Sequence, residues 1–163
     1  MTALPPPSPA SAPADDTATR SWLSVVRAYH LCSELIAARL AAAGVKTSEH
    51  EILMNLRRQP GLSQQALAAR CFTAKSHISG LLGELESRGW ISRQPDPADG
   101  RVKRLSLTVA GTEIAARTVA IQAEVVALMT EGTAQDELLQ VAGAMTEVSR
   151  RLEAALQRVP AME

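Results

Sequence analysis

The sequence is short of aromatic residues, cysteine and long apolar runs, and each shortage excludes a class of protein. It has four aromatic residues among 163, too few for modules that stack single-stranded nucleic acid on aromatic platforms. Its two cysteines, Cys32 and Cys71, are too few for a disulfide scaffold and lack the clustered spacing of a zinc site. No apolar run of about 20 residues and no signal-peptide pattern is present. We therefore expect a cytoplasmic protein with no membrane span.

A net charge of either sign is also lacking, since 17 basic residues balance 17 acidic ones. This balance argues against a wholly basic nucleic-acid binder. The distribution along the chain is nevertheless uneven: the net charge is −1 over residues 1–56, +5 over 57–104 and −4 over 105–163. A positive middle segment between neutral and acidic flanks would steer a polyanion to one part of the molecule.

The first two segments differ sharply in composition. Residues 1–19 hold five of the nine prolines and are predicted to be a disordered tail, with a Pro-rich docking peptide as the alternative. Residues 20–46 are predicted to form an N-terminal dimerisation helix that ends near Gly44. Its apolar stripe has steps of three and four residues and consists of Trp22, Val25, Tyr29, Cys32, Ile36 and Leu40.

Residues 47–110 carry the pattern of a helix-turn-helix followed by a hairpin. Thr47 or Ser48 is expected to cap a helix that ends before Pro60 and Gly61. Two further helices are predicted over 64–70, capped by Ser63, and over 74–88, capped by Thr73 and ended by Gly89. The buried face of the latter is predicted to comprise Ile78, Leu81, Leu82 and Leu85. The strand-like segments 90–93 and 102–107 flank a turn-rich tip.

Residues 111–163 are predicted to form C-terminal dimerisation helices. The last helix has a seam with heptad spacing, comprising Leu138, Val141, Met145, Val148, Leu152, Ala155 and Val159. Such a seam needs a partner surface, and a single helix-turn-helix domain is too small to cover it together with the first helix. We therefore expect a homodimer. The predicted fold is mainly α with a small β-hairpin wing.

The chain resembles the MarR-type winged helix-turn-helix transcriptional regulators over about residues 22–158. Four stretches carry the resemblance: 62–68 (LSQQALA), 75–79 (KSHIS), 85–93 (LESRGWISR), and 96–101 (DPADGR) followed by 105–108 (LSLT). The acidic wing tip followed by Arg101 is the most specific of them. The resemblance implies a winged helix-turn-helix with N- and C-terminal dimerisation helices. Gly80 departs from the family pattern, in which a longer residue is common.

This resemblance, together with the physics of groove recognition, assigns candidate DNA-binding residues. Short polar side chains at the start of a recognition helix reach base edges in the major groove, and the preceding helix start contacts phosphates. By resemblance, Arg101 enters the minor groove while Asp99 holds its guanidinium, and alternation lets only one of Lys103 and Arg104 face DNA. The full set is Ser63, Gln64, Thr73, Lys75, Ser76, His77, Ser79, Asp99, Arg101, Lys103 and Arg104.

Each of these residues also has a simpler structural role open to it. Thr73 can serve only as a helix cap and Asp99 only as a turn former. Ser76, His77 and Ser79 can be plain surface residues.

The same resemblance implies a small phenolic or other lipophilic anionic effector. Trp22, Arg27 and His30 are candidate ligand-binding residues, with Arg27 as the anion partner; Trp22 and His30 can instead lie in the dimer interface. Some family members sense oxidants through a cysteine of the first helix. Cys32 lies inside the apolar stripe, so a buried structural thiol is favoured, and Cys71 is expected in the core.

The sequence thus predicts a homodimeric repressor that binds a pseudo-palindromic duplex operator and is released by a small ligand. Two alternatives remain: a winged-helix protein-interaction module without DNA binding, and a cysteine-based redox-sensing regulator. We expect no enzyme activity, because no catalytic dyad, metal cluster or Gly-rich phosphate loop is present. No cofactor and no metal are expected either.

Overall fold

The computed structural model describes the backbone of residues 16–71 and 75–158 and the side chains of residues 17–71 and 78–158. Most of the predicted tail (1–19), Thr73 and Val159 lie outside these residues, as do the side chains of Lys75, Ser76 and His77. The first helix begins at Asp16, ahead of its predicted start at residue 20.

Within the described ranges the chain forms six helices and three strands. In chain order they are α1 (Asp16–Ala42), α2 (Thr47–Arg58), β1 (Leu62–Ser63), α3 (Gln64–Arg70), α4 (Lys75–Ser87), β2 (Ile91–Pro95), β3 (Lys103–Leu107), α5 (Val109–Thr130) and α6 (Gln135–Leu156). The predicted class, mainly α with a small β wing, is confirmed. No helix in the described part of the chain is long and apolar enough to cross a bilayer.

The chain divides into two compact units, of which the first ends at Gln122 and the second begins at Ala123. The core of the first unit contains the predicted inward face of α4, and Ile78, Leu82 and Leu85 are fully buried. Its other members come from α2, α3, the sheet, the start of α5 and the connections between these elements. This burial fixes the orientation of α4, because rotating the helix would bring its apolar face into water.

Local capping signals place most helix ends. Ser63 Oγ accepts a hydrogen bond from the Ala66 backbone N–H at 3.1 Å, so the predicted cap of α3 is confirmed. Gly44 and Gly89 adopt the left-handed conformation, with φ of 73° and 69°, just after α1 and α4. Glycine is favoured there because it has no Cβ to clash.

The predicted cap of α2 is wrong. Neither Thr47 nor Ser48 caps the helix; Lys46 occupies the N-cap position without a side-chain cap bond. The Lys46 backbone N–H donates instead to Glu49 Oε2 at 2.8 Å. A carboxylate in the first turn of a helix satisfies an otherwise unpaired N–H and interacts favourably with the helix dipole.

The sheet contains one strand more than the sequence indicated. Its order is β1-β3-β2, with both pairs antiparallel. The hairpin pairs Ile91 with Leu107 and Pro95 with Lys103, while the two-residue strand β1 pairs Leu62 with Leu105. Leu105 is therefore central in the sheet and fully buried, which anchors the wing to the start of α3.

An ion pair joins the start of α2 to the end of α4. Arg88 Nη1 donates to Glu49 Oε1 at 3.1 Å, and Arg88 Nη2 donates to the Gly44 carbonyl at 3.0 Å. The guanidinium carbon also lies 3.6 Å from the centre of the Trp90 ring. Because Glu49 is only 1% exposed, its charge depends on Arg88 for compensation, and the pair holds α4 against α2.

The second unit contains the end of α5 and α6. No residue of α6, all of which is described, is buried. Its exposed large apolar side chains include most of the predicted seam and comprise Leu138, Leu139, Val141, Met145, Val148, Leu152 and Leu156. Such a contiguous apolar stripe on a water-facing helix is typical of an interaction surface.

Candidate nucleic-acid interface

Helices α3 and α4 form the predicted helix-turn-helix, and their polar faces meet at one point. Gln64 Nε2 donates a hydrogen bond to Ser79 Oγ at 2.7 Å. The structure thus brings together two residues that were predicted separately as a phosphate contact and a base contact. Ser63 lies beside Gln64 and its hydroxyl oxygen is engaged in capping α3.

The exposed face of α4 carries little side-chain bulk between Ser79 and Gly83. Ser79 and Gly80 are exposed directly after the buried Ile78, and Gly83 is exposed one turn later. A Cβ atom built at Gly80 or Gly83 would meet nothing within 4 Å. The face therefore offers open space where a double helix can approach the backbone closely.

The tip of the wing lies between β2 and β3 and exposes Arg101. The Asp99 carboxylate accepts from the Arg101 backbone N–H at 3.0 Å and from its Nε at 3.4 Å. The side chain of Arg101 is nevertheless 96% exposed. The predicted pairing of Asp99 with Arg101 is thus present in the structure, and it leaves the end of the guanidinium available to a ligand such as a phosphate or a base edge.

Arg104 is engaged inside the wing, a role that the sequence did not indicate. Its Nε donates to Asp96 Oδ2, and its Nη1 donates to the Gly61 carbonyl at 3.1 Å. The backbone N–H of Ala98 and then Arg104 hold the pKa of Asp96 below its ordinary value, because both stabilise the ionised carboxylate. Lys103, on the opposite face of β3, is exposed as Arg104 is, but only Arg104 among these two is held by Asp96 and Gly61, so DNA contact is easier for Lys103.

A cavity of about 590 Å³ lies within the first unit, between α1, α2, α3 and the middle of α5. Its lining combines apolar and polar side chains with two arginines: Tyr29, Ser33, Ile36, Thr47, His50, Glu51, Met54, Asn55, Arg58, Arg70 and Gln122. Its size suits a small organic molecule.

His50 is the most unusual group in that cavity. It is buried, and its Nδ1 atom has no hydrogen-bond partner among the described residues. Burial lowers the pKa of His50 from its ordinary value, while a hydrogen bond to Gln122 partly offsets this. A neutral imidazole donates one hydrogen bond and accepts one. Nδ1 itself has almost no accessible surface, so its missing hydrogen bond lies within the packed interior and does not face the open cavity.

The three residues predicted to bind a ligand do not line this cavity. Trp22, Arg27 and His30 are exposed on α1, and His30 packs edge-on against Tyr29, with 5.8 Å between the ring centres. Ligand binding by these three residues remains a prediction. The residues that line the cavity were missed because they are distant in sequence and lie on four different helices.

The two cysteines differ in environment. Cys71 lies in the core as expected, and burial raises the pKa of its thiol to about 11, so it is protonated and unreactive at neutral pH. Cys32 was expected to be buried but is only half-buried.

Comparisons with known proteins agree with this geometry. Residues 43–102 match the sequence profile of the MarR family. The transcriptional regulator HosA of Escherichia coli O111:H- is 30% identical over 73 residues, which cover 45% of this chain and 54% of HosA. The chain thus spans about half the length of the curated relatives it matches.

Two solved structures share the fold. A MarR-family transcription regulator superimposes with a TM-score of 0.80 at 22% identity, covering 88% of this chain and 95% of that one. The transcriptional repressor CouR, solved bound to a 23-mer DNA duplex, has a TM-score of 0.69 at 23% identity over 77% of this chain and 89% of CouR. These relatives favour neither the interaction-module alternative nor the redox alternative.

Proposed function

We propose that this chain, a member of the MarR family through its winged helix-turn-helix at residues 43–102, is a sequence-specific transcriptional regulator of duplex DNA. It acts in the cytoplasm as a homodimeric repressor, and a small anionic ligand releases it from DNA. The observation that carries the proposal is the arrangement of α4 and the wing. One face of α4 is fixed by the fully buried Ile78, Leu82 and Leu85, while the wing tip exposes Arg101.

The charge distribution supports duplex DNA as the partner. The segment of net charge +5, residues 57–104, contains α3, α4 and most of the wing. Phosphate contacts from such a segment supply affinity and orientation, and base contacts from α4 supply specificity. CouR, which has the same fold, binds DNA.

The exposed apolar faces of α1 and α6 support a homodimer. Trp22, Val25 and Tyr29 of α1 are exposed, although the sequence pattern places them on the stripe that should be buried. The exposed apolar stripe of α6 begins at Leu138 and ends at Leu156. A second copy of the chain would remove both faces from water. Two-fold symmetry then implies two half-sites about one helical turn apart.

The lining of the cavity favours a ligand that has both a carboxylate and a hydroxyl group on an apolar body. Arg58 and Arg70 supply positive charge at its wall, and Ile36 and Met54 supply apolar surface. Tyr29 and Ser33, which also line the cavity, carry hydroxyl groups that can pair with the hydroxyl group of the ligand. These features match a phenolic acid.

Selection of bound sequences from a random pool of duplex DNA tests the proposed function. We expect the full chain to enrich a two-fold symmetric site, with an affinity that falls steeply with salt concentration because counterions are released. Recovery of a pool with no enriched motif would contradict the proposal. An asymmetric motif would contradict the homodimer.

The ligand proposal predicts a difference between two neighbouring arginines. Arg58→Ala should weaken the binding of 4-hydroxybenzoate roughly tenfold, the effect of losing one charge-assisted hydrogen bond. Arg57→Ala is the matched control, because Arg57 lies on the same helix but does not line the cavity. Isothermal titration calorimetry of both variants checks this, and equal affinities would contradict it.

The lowered pKa of His50 predicts that ligand binding depends on pH, which the same titrations can measure. The pKa of His50 is lowered, so the ring is neutral at pH 7 and protonates only below its ordinary value of about 6.5. Protonation adds a positive charge to the lining of the cavity, so the affinity for the anionic 4-hydroxybenzoate should rise as the pH falls through the lowered pKa. An affinity that stays constant across this range would contradict a role for His50 in binding.

A further inference from the structure

Gln64 and Ser79 form a polar pair where α3 meets the exposed face of α4. We propose that Gln64 is a positioning residue that fixes the Ser79 hydroxyl as a hydrogen-bond donor toward DNA. Ser79 then specifies one base pair in each half-site by donating to an acceptor atom in the major groove. The inference rests on the proposed function and specifies the kind of base atom, a hydrogen-bond acceptor, that α4 recognises.

The direction of the hydrogen bond between Gln64 and Ser79 determines which part of the Ser79 hydroxyl group is left for DNA. Gln64 Nε2 donates to Ser79 Oγ at 2.7 Å, so one lone pair of the hydroxyl oxygen is occupied. A serine hydroxyl has a single hydrogen to donate. Within the described residues the Ser79 hydroxyl makes no other hydrogen bond. No described residue competes for its hydrogen, so we assign that hydrogen to the DNA partner.

The position of the pair on the exposed face of α4 allows Ser79 to approach a base edge. Ile78, the neighbour of Ser79 in sequence, is fully buried, so the helix cannot rotate to hide Ser79. Gly80 and Gly83 leave open space on the same exposed face of the helix. A short side chain such as serine needs this close approach in order to reach a base edge, and longer neighbours would prevent it.

The acceptor and donor atoms in the major groove explain why a fixed hydrogen-bond donor prefers some base pairs to others. In the major groove the acceptors are N7 of both purines, O6 of guanine and O4 of thymine, whereas N4 of cytosine and N6 of adenine are donors. A hydroxyl that is free to rotate can accept or donate and discriminates weakly. A hydroxyl whose oxygen is held by Gln64 offers its hydrogen first, and therefore favours an acceptor.

Random-pool selection with three variants tests the inference. Ser79→Ala should remove the preference at one base pair in each half-site, with the other positions unchanged and a roughly 3- to 10-fold loss of affinity for the wild-type site. Gln64→Ala should relax the preference at that same base pair. Gln65→Ala is the matched control, because Gln65 is the exposed neighbour on α3, and it should leave that base pair unchanged.

Base analogues then identify the atom that is read. At the affected base pair, 7-deazapurines remove N7, 2-aminopurine removes O6 of guanine, and 5-methyl-2-pyrimidinone removes O4 of thymine. One of these should weaken wild-type binding while leaving Ser79→Ala binding unaffected. If the wild-type protein selects a motif but Ser79→Ala selects the same one, the inference fails and the proposed function stands. If no analogue matters, the donor assignment fails. If the wild-type protein selects no motif, the proposed function itself fails.

Discussion

Arg101→Ala should weaken binding to the selected operator by about one to two orders of magnitude at fixed salt. The guanidinium lies at the tip of the wing, 96% exposed, and its ion-pair partner among the described residues is the neighbouring Asp99. The variant therefore loses little that stabilises the fold, and its melting temperature should be unchanged. Fluorescence anisotropy with the labelled site measures the dissociation constant.

Two further substitutions separate shape recognition from charge. Arg101→Lys keeps the positive charge but lacks the planar fork, so it should recover only part of the lost affinity. Arg117→Ala, at an exposed position on α5, removes the same charge from a helix outside the wing and should have a small effect. A dissociation constant of Arg101→Ala equal to that of the wild type would refute the role of the wing tip.

The helices were predictable because their signals are local. The Ser63 cap, the left-handed Gly89 and the spacing of Ile78, Leu82 and Leu85 each act within one or two helical turns. A period of 3.6 residues and a cap can be recognised without knowing what the helix packs against. The positions of α3, α4 and the wing hairpin followed from such signals.

The polar connections were not predictable, because they join residues far apart in sequence. Arg88 pairs with Glu49, 39 residues away, and Arg104 reaches back to the carbonyl of Gly61. Nothing in the sequence near either arginine indicates which distant residue it pairs with. Arg104 illustrates the consequence: strand alternation offered it as a DNA contact equal to Lys103, whereas Asp96 and Gly61 already occupy its guanidinium.

The cavity between α1, α2, α3 and α5 could not be predicted from the sequence for a related reason. The family resemblance suggested Trp22, Arg27 and His30 on α1, but a cavity depends on which faces of several helices converge. His50 lies in an ordinary amphipathic segment of α2, and only the fold places it in the lining of the same cavity as Arg58. Periodicity identifies which residues are buried, but not which buried polar atom lacks a partner.

Gly111→Ala should destabilise the protein by roughly 3 kcal/mol or more, which corresponds to a melting temperature lower by about 6–12 °C. A Cβ atom at Gly111 would lie 1.8 Å from the carbonyl oxygen of Trp90 and 2.7 Å from its carbonyl carbon. Both atoms belong to the backbone, so no side-chain rotation can relieve the clash. Thermal unfolding followed by circular dichroism measures the effect.

Thr108 explains why the start of α5 cannot simply move away. Its hydroxyl donates to the Gly89 carbonyl at 2.6 Å and accepts from the Gly111 N–H at 3.0 Å, while its own N–H donates to the Trp90 carbonyl at 3.0 Å. Relieving the clash would break these bonds or displace β2, which forms one side of the wing. A shift of β2 should also reduce DNA affinity.

Gly143→Ala is the matched control for this substitution. A Cβ atom at Gly143, in the interior of α6, would meet nothing within 4 Å. Alanine has the higher helix propensity, so this variant should be more stable than the wild type by about 0.5–1 kcal/mol. Opposite signs for the same chemical change would show that the close approach at Trp90, and not the loss of a glycine, causes the destabilisation; a melting temperature of Gly111→Ala equal to that of the wild type would contradict it.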